Sequence, residues 1–370
     1  MANPVFVGMD LGTFKTSVAS SAGYRDVIPT AVGWPKDHIA RTVLGRDVVF
    51  GKDLAEHRLA LDLVRPFEKG VLKYGDAANC GLTAQQIEKH ATATRLVIEY
   101  AVGMVNPARG DAGTPVYGVI GVPSQAGMKN KQFVMDAAAG VFDAVAIVSE
   151  PFTIAYGMNR LTDTLVIDIG AGTIDICPIY GVYPADDEQV TLPIGGDAVD
   201  EEFEKLLKAR HPRVQASRNM VREIKEKYGF VSDVGEKAVV SLPVDGKPTP
   251  IDVTEPLKAA CSALVKPVVE AVCNLIAKFD PEFQQRLRQN IILGGGGSQL
   301  KGLDRVIEVA LAEYGGGRVT RVTDATHAGS VGALKLAMNM PAAGWTALSA
   351  KTKAAAPAPA PKAVPMAAAA

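Results

Sequence analysis

The sequence predicts an α/β protein built as two domains or as one bilobed body, and three observations indicate this fold class. The chain has 370 residues, which is longer than one hydrophobic core usually reaches. Short apolar runs of β-strand composition alternate with segments of helical periodicity. The second half also repeats the first, because each half contains a strand, a glycine turn and a second strand followed by helices and further strands.

The first half begins with a predicted hairpin, in which the strands are punctuated by Gly12. A mixed segment with several glycines and prolines follows, and it resembles a small insertion domain. The predicted elements in order are strands Val5 to Met9 and Ser17 to Ser20, the insertion Pro29 to Leu72, helix Ala84 to Val105, strand Val116 to Pro123, helix Lys129 to Val141 and strand Ala144 to Ser149.

The second half begins with another hairpin, and Asp197 is the predicted N-cap of the helix that follows it. A long helix further on is expected to bend at Pro267. The predicted elements in order are hairpin Leu165 to Tyr180, a helix from Asp197, helix Ser217 to Tyr228, the β-rich segment Lys237 to Val253, helix Pro256 to Phe279, the strand and glycine turn "NIILGGGG", strand Arg318 to Val322 and a last helix Ala328 to Met338.

The composition excludes several function classes and predicts a cytoplasmic protein. The formal net charge is −1, so no basic field indicates a nucleic-acid partner. We find no apolar run of the roughly 20 residues that cross a bilayer, and therefore expect no direct membrane insertion. Residues 347–370 are rich in alanine and proline, and we expect them to form a disordered tail.

Two segments with an acid, a glycine and a hydroxyl at a bend carry the predicted chemistry: "DLGT" from Asp10 and "DIGAGT" from Asp168. Glycine lets the backbone approach a ligand closely, and exposed N–H groups at such turns bind anions. An acid beside a phosphate is repulsive unless a cation intervenes, which indicates Mg²⁺. One such turn alone is an ordinary tight turn, but two of them can hold a polyphosphate from both sides.

A glycine run from Gly294 to Ser298 offers a third close-approach surface between a strand and a helix. The chain contains no GxxxxGK[ST] motif, and no complete GxGxxG motif opens a helix. The pattern therefore favours a nucleotide site that is neither a P-loop nor a Rossmann site.

These motifs together resemble the ATPase motifs of the superfamily that contains actin, sugar kinases and chaperone ATPases. The matching segments are the two hairpins, "GVP" at Gly121 to Pro123, "SEPFTIAYG" at Ser149 to Gly157, "LGGGGSQLKGL", and the helix "VREIKEKYGFV" at Val221 to Val231. The resemblance implies an actin-like, ribonuclease H-like bilobed fold with four subdomains and a nucleotide cleft. It also implies ATP or ADP with Mg²⁺ as cofactors.

Site residues are implied by the same resemblance. Glu150 and Asp168 are the expected catalytic residues, with Glu150 orienting the attacking water. Asp10 and Asp168 would hold the metal ion through water. The expected nucleotide-binding residues are Asp10, Gly12, Thr13, Thr16, Gly170, Gly172, Thr173, Gly196, Lys225, Glu226, Gly295, Gly296 and Ser298. A phosphate contact by Lys15 stays open.

A narrower resemblance links "AVGWPKD", "LGRDVVFGKDLAEHRLALDLVRPFEKGVL" and "YPADDEQVTL" to the bacterial actins associated with magnetosomes. It implies a cytoplasmic filament formed by self-assembly, with ATP hydrolysis driving filament turnover. It further implies a role in positioning magnetosomes or a similar organelle, together with organelle-associated adaptor proteins.

The resemblance also assigns residues to the four subdomains. The expected ranges are 1–33, 76–147 and 325–346 for subdomain IA, 34–75 for IB, 148–192 and 254–324 for IIA, and 193–253 for IIB. Three alternatives remain at this stage. They are a sugar-type kinase on the same fold, a chaperone ATPase, which would need a further substrate-binding domain, and a non-hydrolysing structural relative.

Overall fold

The computed structural model describes residues 3–75, 80–106, 114–232 and 237–355, and its two lobes are each built on a five-stranded mixed sheet. The strands are β1 (Val5–Leu11), β2 (Lys15–Ser20), β3 (Arg25–Pro29), β4 (Val32–Pro35), β5 (Leu61–Val64), β6 (Phe67–Glu68), β7 (Val71–Leu72), β8 (Val116–Val122), β9 (Ala144–Ser149), β10 (Thr164–Ile169), β11 (Ile174–Ile179), β12 (Val190–Leu192), β13 (Val239–Val244), β14 (Lys247–Asp252), β15 (Ile291–Gly294) and β16 (Val319–Arg321).

Helices cover both sheets. They are α1 (His38–Leu44), α2 (Asp53–Glu56), α3 (Ala84–Val105), α4 (Met128–Ala138), α5 (Glu150–Gly157), α6 (Gly196–Arg210), α7 (Arg218–Tyr228), α8 (Thr254–Ser262), α9 (Val265–Ile276), α10 (Pro281–Arg288), α11 (Leu303–Leu311), α12 (Ala328–Asn339) and α13 (Ala342–Ala355). The predicted bounds of α3 are confirmed, and a reciprocal capping box between Thr83 and Gln86 explains where this helix begins.

The two large sheets have the same topology, as the repeat in the sequence predicts. Their strand orders are β3-β2-β1-β8-β9 and β12-β11-β10-β15-β16. In each sheet an antiparallel hairpin lies beside a parallel strand. Asp10 is opposite Gly121 of β8, and Asp168 is opposite Gly294 of β15. Both aspartates therefore lie near the carboxyl ends of parallel strands, where open α/β sheets bind ligands.

Helices α5 and α12 pack against each other and join the two lobes. Helix α12 lies on β1 and β8 of the first sheet, while α5 lies on β10 and β11 of the second. The two helices approach very closely, because a Cβ added at Gly332 would lie only 1.9 Å from the carbonyl oxygen of Thr153. Glycine is thus required at this crossing, and the crossing fixes how the sheets meet.

Smaller two-stranded sheets extend from each lobe. Strands β4 and β5 pair within the predicted insertion, as do β6 and β7, and β13 pairs with β14 in the predicted β-rich segment. The arrangement agrees with a large and a small part in each lobe. The residue boundaries of the four subdomains remain a prediction.

Two local predictions in the second half are wrong. The predicted helix Pro256 to Phe279 is divided into α8 and α9, and the break falls before Pro267 rather than at it. Proline is tolerated in the first turn of α9 because its missing N–H would have no helical partner there. Asp197 is not an N-cap, since α6 begins at Gly196 and the Asp197 carboxylate is bonded to Arg222.

The expectation that no apolar run is long enough to cross a bilayer is also wrong. The helical stretch 254–276 meets the length and composition of a membrane span, with a mean hydropathy of 1.5, although 44% of that window is buried in the protein. Its apolar side chains, among them Leu257, Val268 and Val272, lie in the core of the second lobe. This burial accounts for the apolar composition.

The predicted tail does not begin at Ala347, because α13 continues to Ala355. Trp345 is 3% exposed and stacks on Tyr117 with ring centroids 4.9 Å apart. Thr352 is also buried, and its Oγ1 accepts a hydrogen bond from the Val145 N–H of β9. Tertiary packing thus orders an alanine-rich segment whose composition alone indicates disorder. Residues 356–370 lie outside the described residues.

Candidate functional site

The bends of the two hairpins both line a cavity of about 320 Å³ between the lobes. The bends almost touch, because a Cβ at Gly172 would lie 2.6 Å from Thr13 Oγ1. Thr13 Oγ1 in turn accepts a hydrogen bond from the Gly70 N–H, which fixes the first bend against the loop between β6 and β7. Glycine at these positions therefore permits the close approach of the lobes.

Most of the predicted site residues lie in the wall of this cavity. The predicted residues found there are Asp10, Gly12, Thr13, Glu150, Asp168, Gly170, Gly172, Thr173, Gly196, Lys225, Glu226, Gly295 and Gly296. They come from β1, α5, β10, α6, α7, the hairpin bends and the loop after β15. The structure therefore assembles one concave site from segments that are far apart in the sequence.

Two predicted residues lie elsewhere. Thr16 is fully buried on the opposite face of β2 from Lys15 and Ser17, and its hydroxyl bonds to Thr30 at 2.8 Å. Ser298 is fully buried as well, and its hydroxyl donates to the carbonyl oxygen of Gly295 at 2.7 Å. Ser298 thus holds the glycine loop in shape from behind the wall of the cavity.

Several lining residues were not among the predicted site residues. They are Phe14, Lys15 (left open), Ser17, Val27, Pro123, Ala171, Val199, Arg222, Gly297, Gln299, Leu300, Ala325 and Thr326. Arg222 could have been found, because it lies three and four residues before the predicted pair on α7 and so shares their face. Ala325 and Thr326, just before α12, carry no motif that would have marked them.

The glycine loop after β15 presents two different glycines to the cavity. Gly295 has φ +72°, and a Cβ there would lie 2.3 Å from Asp168 Oδ1. Its lack of a side chain is thus required by the protein itself. Gly296 is different, because a Cβ there meets no protein atom within 4 Å. Gly296 leaves open space that a ligand can occupy.

Buried carboxylates dominate the electrostatics of the floor of the site. Burial, together with the charge of Asp175, raises the pKa of Asp10 to about 6. Burial and then the charge of Asp10 raise the pKa of Glu150 and of Asp168 well above their ordinary values. Glu150 Oε1 is buried without a hydrogen-bond partner among the described residues. Burying several ionised carboxylates close together lowers the stability of the folded protein. A cation bound in the cavity would reduce this loss of stability.

This donor set fits Mg²⁺ held through water. Oxygen ligands are what this ion prefers, and it commonly keeps several waters while using one or two carboxylates and substrate phosphates. Within the described ranges, no three His, Cys, Asp or Glu side chains are grouped closely enough to hold a metal ion directly. The indirect role of Asp10 and Asp168 toward the metal ion remains a prediction.

Basic residues line the opposite side of the cavity and are held by ion pairs. Lys225 Nζ lies 2.7 Å from Asp200 Oδ1 and donates to the carbonyl oxygen of Gly196 at 2.7 Å. Arg222 donates a hydrogen bond to Asp197 at 2.8 Å and forms an ion pair with Asp200 at 3.1 Å. These contacts tie the start of α6 to α7. The cavity thus has an acidic floor and a basic side, an arrangement that suits a polyphosphate with a bound cation.

Two equivalent sheets that direct paired hairpins into a shared cleft define a bilobed protein with the actin-like fold. A family model described as "MreB/Mbl protein" matches residues 5–314. The chain therefore belongs to the MreB/Mbl family.

Among curated proteins, the actin-like protein MamK of Paramagnetospirillum magneticum is 37% identical over 346 residues, covering 94% of this chain and 96% of that protein. MamK of Magnetospirillum gryphiswaldense is also 37% identical, covering 94% of this chain and 92% of that protein. A solved MamK double helical filament superposes with a TM-score of 0.85 at 36% identity, covering 92% of this chain and all of that one. A non-polymerising MamK mutant bound to AMPPNP superposes with a TM-score of 0.69 at 36% identity and the same coverage.

Proposed function

We propose that the protein binds Mg²⁺-ATP in the cavity between the lobes, assembles into filaments and hydrolyses ATP to drive filament turnover. The observation that carries this proposal is the pair of hairpin bends that meet across an acidic cleft. The similarity to a MamK filament and to an AMPPNP-bound MamK over nearly the whole chain supports both assembly and nucleotide binding. A sugar-type kinase is not favoured, since these relatives are described as filament proteins.

Each wall of the site has a defined task in this proposal. Backbone N–H groups at Gly12, Gly170 and Gly172 bind phosphate oxygens, and the hydroxyls of Thr13 and Thr173 add further donors. Asp10 and Asp168 would hold a hydrated Mg²⁺, which would supply positive charge beside the phosphates. Lys225 and Glu226 contact the nucleoside, and the open space at Gly296 receives it.

Glu150 is the residue that positions the attacking water. It is the first residue of α5 and is only 7% exposed, so its carboxylate has little freedom. Its free Oε1 atom can accept a hydrogen bond from a water molecule and hold that water toward the terminal phosphorus. Phosphoryl transfer depends mainly on such positioning and on charge stabilisation, because the protein has little covalent chemistry to perform.

Assembly follows from head-to-tail contacts between identical subunits. Heterologous contacts of this kind produce open filaments when the rotation between subunits does not close a ring. We propose that the filament is cytoplasmic, lies alongside magnetosomes or a similar organelle, and binds organelle-associated adaptor proteins. The proposed subdomains follow the boundaries given above, with IA extended to include α13.

Sedimentation with electron microscopy, combined with phosphate release, tests the proposal. With ATP and Mg²⁺ the protein should pellet as filaments and then release phosphate, and neither should occur after addition of excess EDTA. A soluble protein under all nucleotide conditions would contradict assembly. Phosphate transfer to an added sugar, without filaments, would instead favour the kinase.

A further inference from the structure

Phe14, at the tip of the first hairpin, lines the cavity, and two guanidinium groups lie close to its ring. The guanidinium carbon of Arg222 is 3.7 Å from the centroid of the ring, and that of Arg65 is 4.7 Å away. Phe14 and Arg65 belong to the first lobe, whereas Arg222 lies on α7 of the second. The stacked group therefore connects the lobes directly across the cleft.

Arg222 is held rigidly on its own lobe. Its side chain is 17% exposed and is bonded to Asp197 and Asp200 of α6. Asp200 is also paired with Lys225. These ion pairs hold the guanidinium group of Arg222 against α6, so its contact with Phe14 links the first hairpin to both α6 and α7.

Arg65 is the second cation beside the Phe14 ring, and it favours an aromatic side chain at this position. Its Nη1 atom is buried without a hydrogen-bond partner among the described residues. Burial and then the nearby charge of Arg222 lower the pKa of Arg65. Two arginines of like charge thus approach each other beside Phe14. An aromatic ring in contact with both is favourable because the negative charge on its faces attracts cations.

A second contact across the mouth is weaker. Lys15 Nζ lies 3.2 Å from Glu226 Oε1, but the two side chains are 50% and 49% exposed. Water and salt screen such an ion pair, and exposed pairs contribute little. The contact between Phe14 and Arg222 is more shielded from water than this ion pair. It therefore contributes more to holding the two lobes together here.

We propose that Phe14 is a positioning residue that latches the two lobes over bound nucleotide and thereby slows nucleotide release. This inference rests on the proposed nucleotide site. While the Phe14 ring stays in contact with Arg222, α7 is held beside the first hairpin, and the cavity between the lobes stays closed. Release of the nucleotide then requires the stack to separate first.

Release of a fluorescent, non-hydrolysable ATP analogue from the full chain, measured by stopped flow at protein concentrations without light scattering from assembly, tests the latch. Phe14→Leu keeps an apolar side chain but removes the ring, and release should be roughly 3- to 20-fold faster, the size expected for losing one or two cation–π contacts. Phe14→Trp keeps an aromatic face and should release within about twofold of wild type. An acceleration below threefold in Phe14→Leu, or equal acceleration in both variants, overturns the latch.

Arg222→Lys is an independent variant. It retains the charge opposite Asp197 and Asp200 but lacks the planar group that stacks, and it should accelerate release as Phe14→Leu does. An unchanged rate in a folded Arg222→Lys protein overturns the proposal even if Phe14→Leu does not fold.

Phe283→Leu is the matched control. Phe283 faces Arg286 within the single helix α10, at 5.2 Å, and joins no two lobes. Its substitution should leave the release rate unchanged, and an acceleration equal to that of Phe14→Leu would overturn the latch. If the wild-type protein binds no analogue at all, the proposed nucleotide site fails with the latch. If it binds but Phe14 does not affect release, only the latch fails.

Discussion

The Ser124 N–H donates a hydrogen bond to Asp175 Oδ1 at 2.7 Å, and this bond joins the two sheets at the floor of the cleft. Ser124 follows β8 of the first sheet, and Asp175 lies on β11 of the second. Thr191 of β12 also donates to the same carboxylate oxygen and accepts from the Gln125 N–H. Hydrogen bonds thus join the two lobes at the floor of the cleft. Asp175 also adds negative charge beside the candidate catalytic residues.

The buried acids should make the stability of the ligand-free protein depend on pH. The pKa of Asp10 is about 6 in the folded protein and 3.8 ordinarily. Its contribution to stability is therefore fully present below pH 4 and is lost as the pH rises through about 6. Asp10→Asn stays neutral, so in EDTA without nucleotide its advantage over wild type should be small near pH 4 and about 3 kcal/mol at pH 7.

Urea unfolding of Asp10→Asn and wild type at several pH values would measure this difference. The half-buried Asp26 lies on β3 outside the cavity wall, and Asp26→Asn serves as the matched substitution. A constant difference between Asp10→Asn and wild type from pH 4 to pH 7 would contradict the raised pKa.

Glu150→Gln should separate hydrolysis from assembly. Glutamine has nearly the same size, so nucleotide binding and filament formation should persist. It is a much poorer acceptor for the proton of the attacking water, and hydrolysis should slow by about 10²–10⁴-fold, with the lower end expected if Glu150 mainly positions water. Phosphate release should be followed together with light scattering in the same sample.

Asp168→Asn is the informative comparison, because it should weaken Mg²⁺ and nucleotide binding together. Filaments of Glu150→Gln should also persist longer after ATP addition if hydrolysis drives turnover. Wild-type hydrolysis by an assembling Glu150→Gln protein would remove Glu150 from the proposed mechanism.

Gly296→Val should block the nucleotide without disturbing the fold. A side chain at this position enters open space in the cavity rather than protein atoms. We expect at least a roughly tenfold loss of ATP affinity in titration calorimetry, equivalent to about 1.4 kcal/mol, with unchanged thermal stability of the ligand-free protein. Gly295→Val makes a useful contrast, since it should lower stability itself through the clash with Asp168. Normal affinity in Gly296→Val would exclude this surface from the site.

Trp345→Ala should destabilise the protein, because the indole is buried and stacked on Tyr117. Removal of a buried aromatic side chain typically costs about 3–5 kcal/mol, which urea unfolding would detect. Thr346→Ala, on the exposed side of α13, is the control and should change stability little.

Deletion of 356–370 should leave ATP-dependent pelleting nearly unchanged, because the alanine- and proline-rich composition offers little packable surface. Loss of pelleting in that truncated protein would show that these residues take part in assembly.

The sequence predicted those elements whose local hydrophobic pattern matches their burial in the folded protein. The hairpin from Leu165 to Tyr180 is an example, because apolar strands flank a glycine turn and are buried on both faces in the structure. The bounds of α3 followed from its periodicity. Most site residues could also be predicted, since motif spacing marks the ends of strands.

Other features depend on contacts that no local pattern shows. Helix α13 is ordered by Tyr117, more than 200 positions earlier in the chain, while its own composition is weakly patterned. Thr16 was misplaced because strand alternation directs its hydroxyl to Thr30 and away from the cavity. Phe14 was missed because its partners come from separate segments of the chain.

The position of α13 along β9 has a consequence for how copies of this chain can associate. Strand β9 is the outer strand of the first sheet, and outer strands readily recruit further strands through their free backbone groups. Here the Val145 N–H is already engaged by Thr352, and a helix lies along the strand. The outer edge of β9 is therefore covered, so copies of this chain are hindered from pairing strand to strand along it.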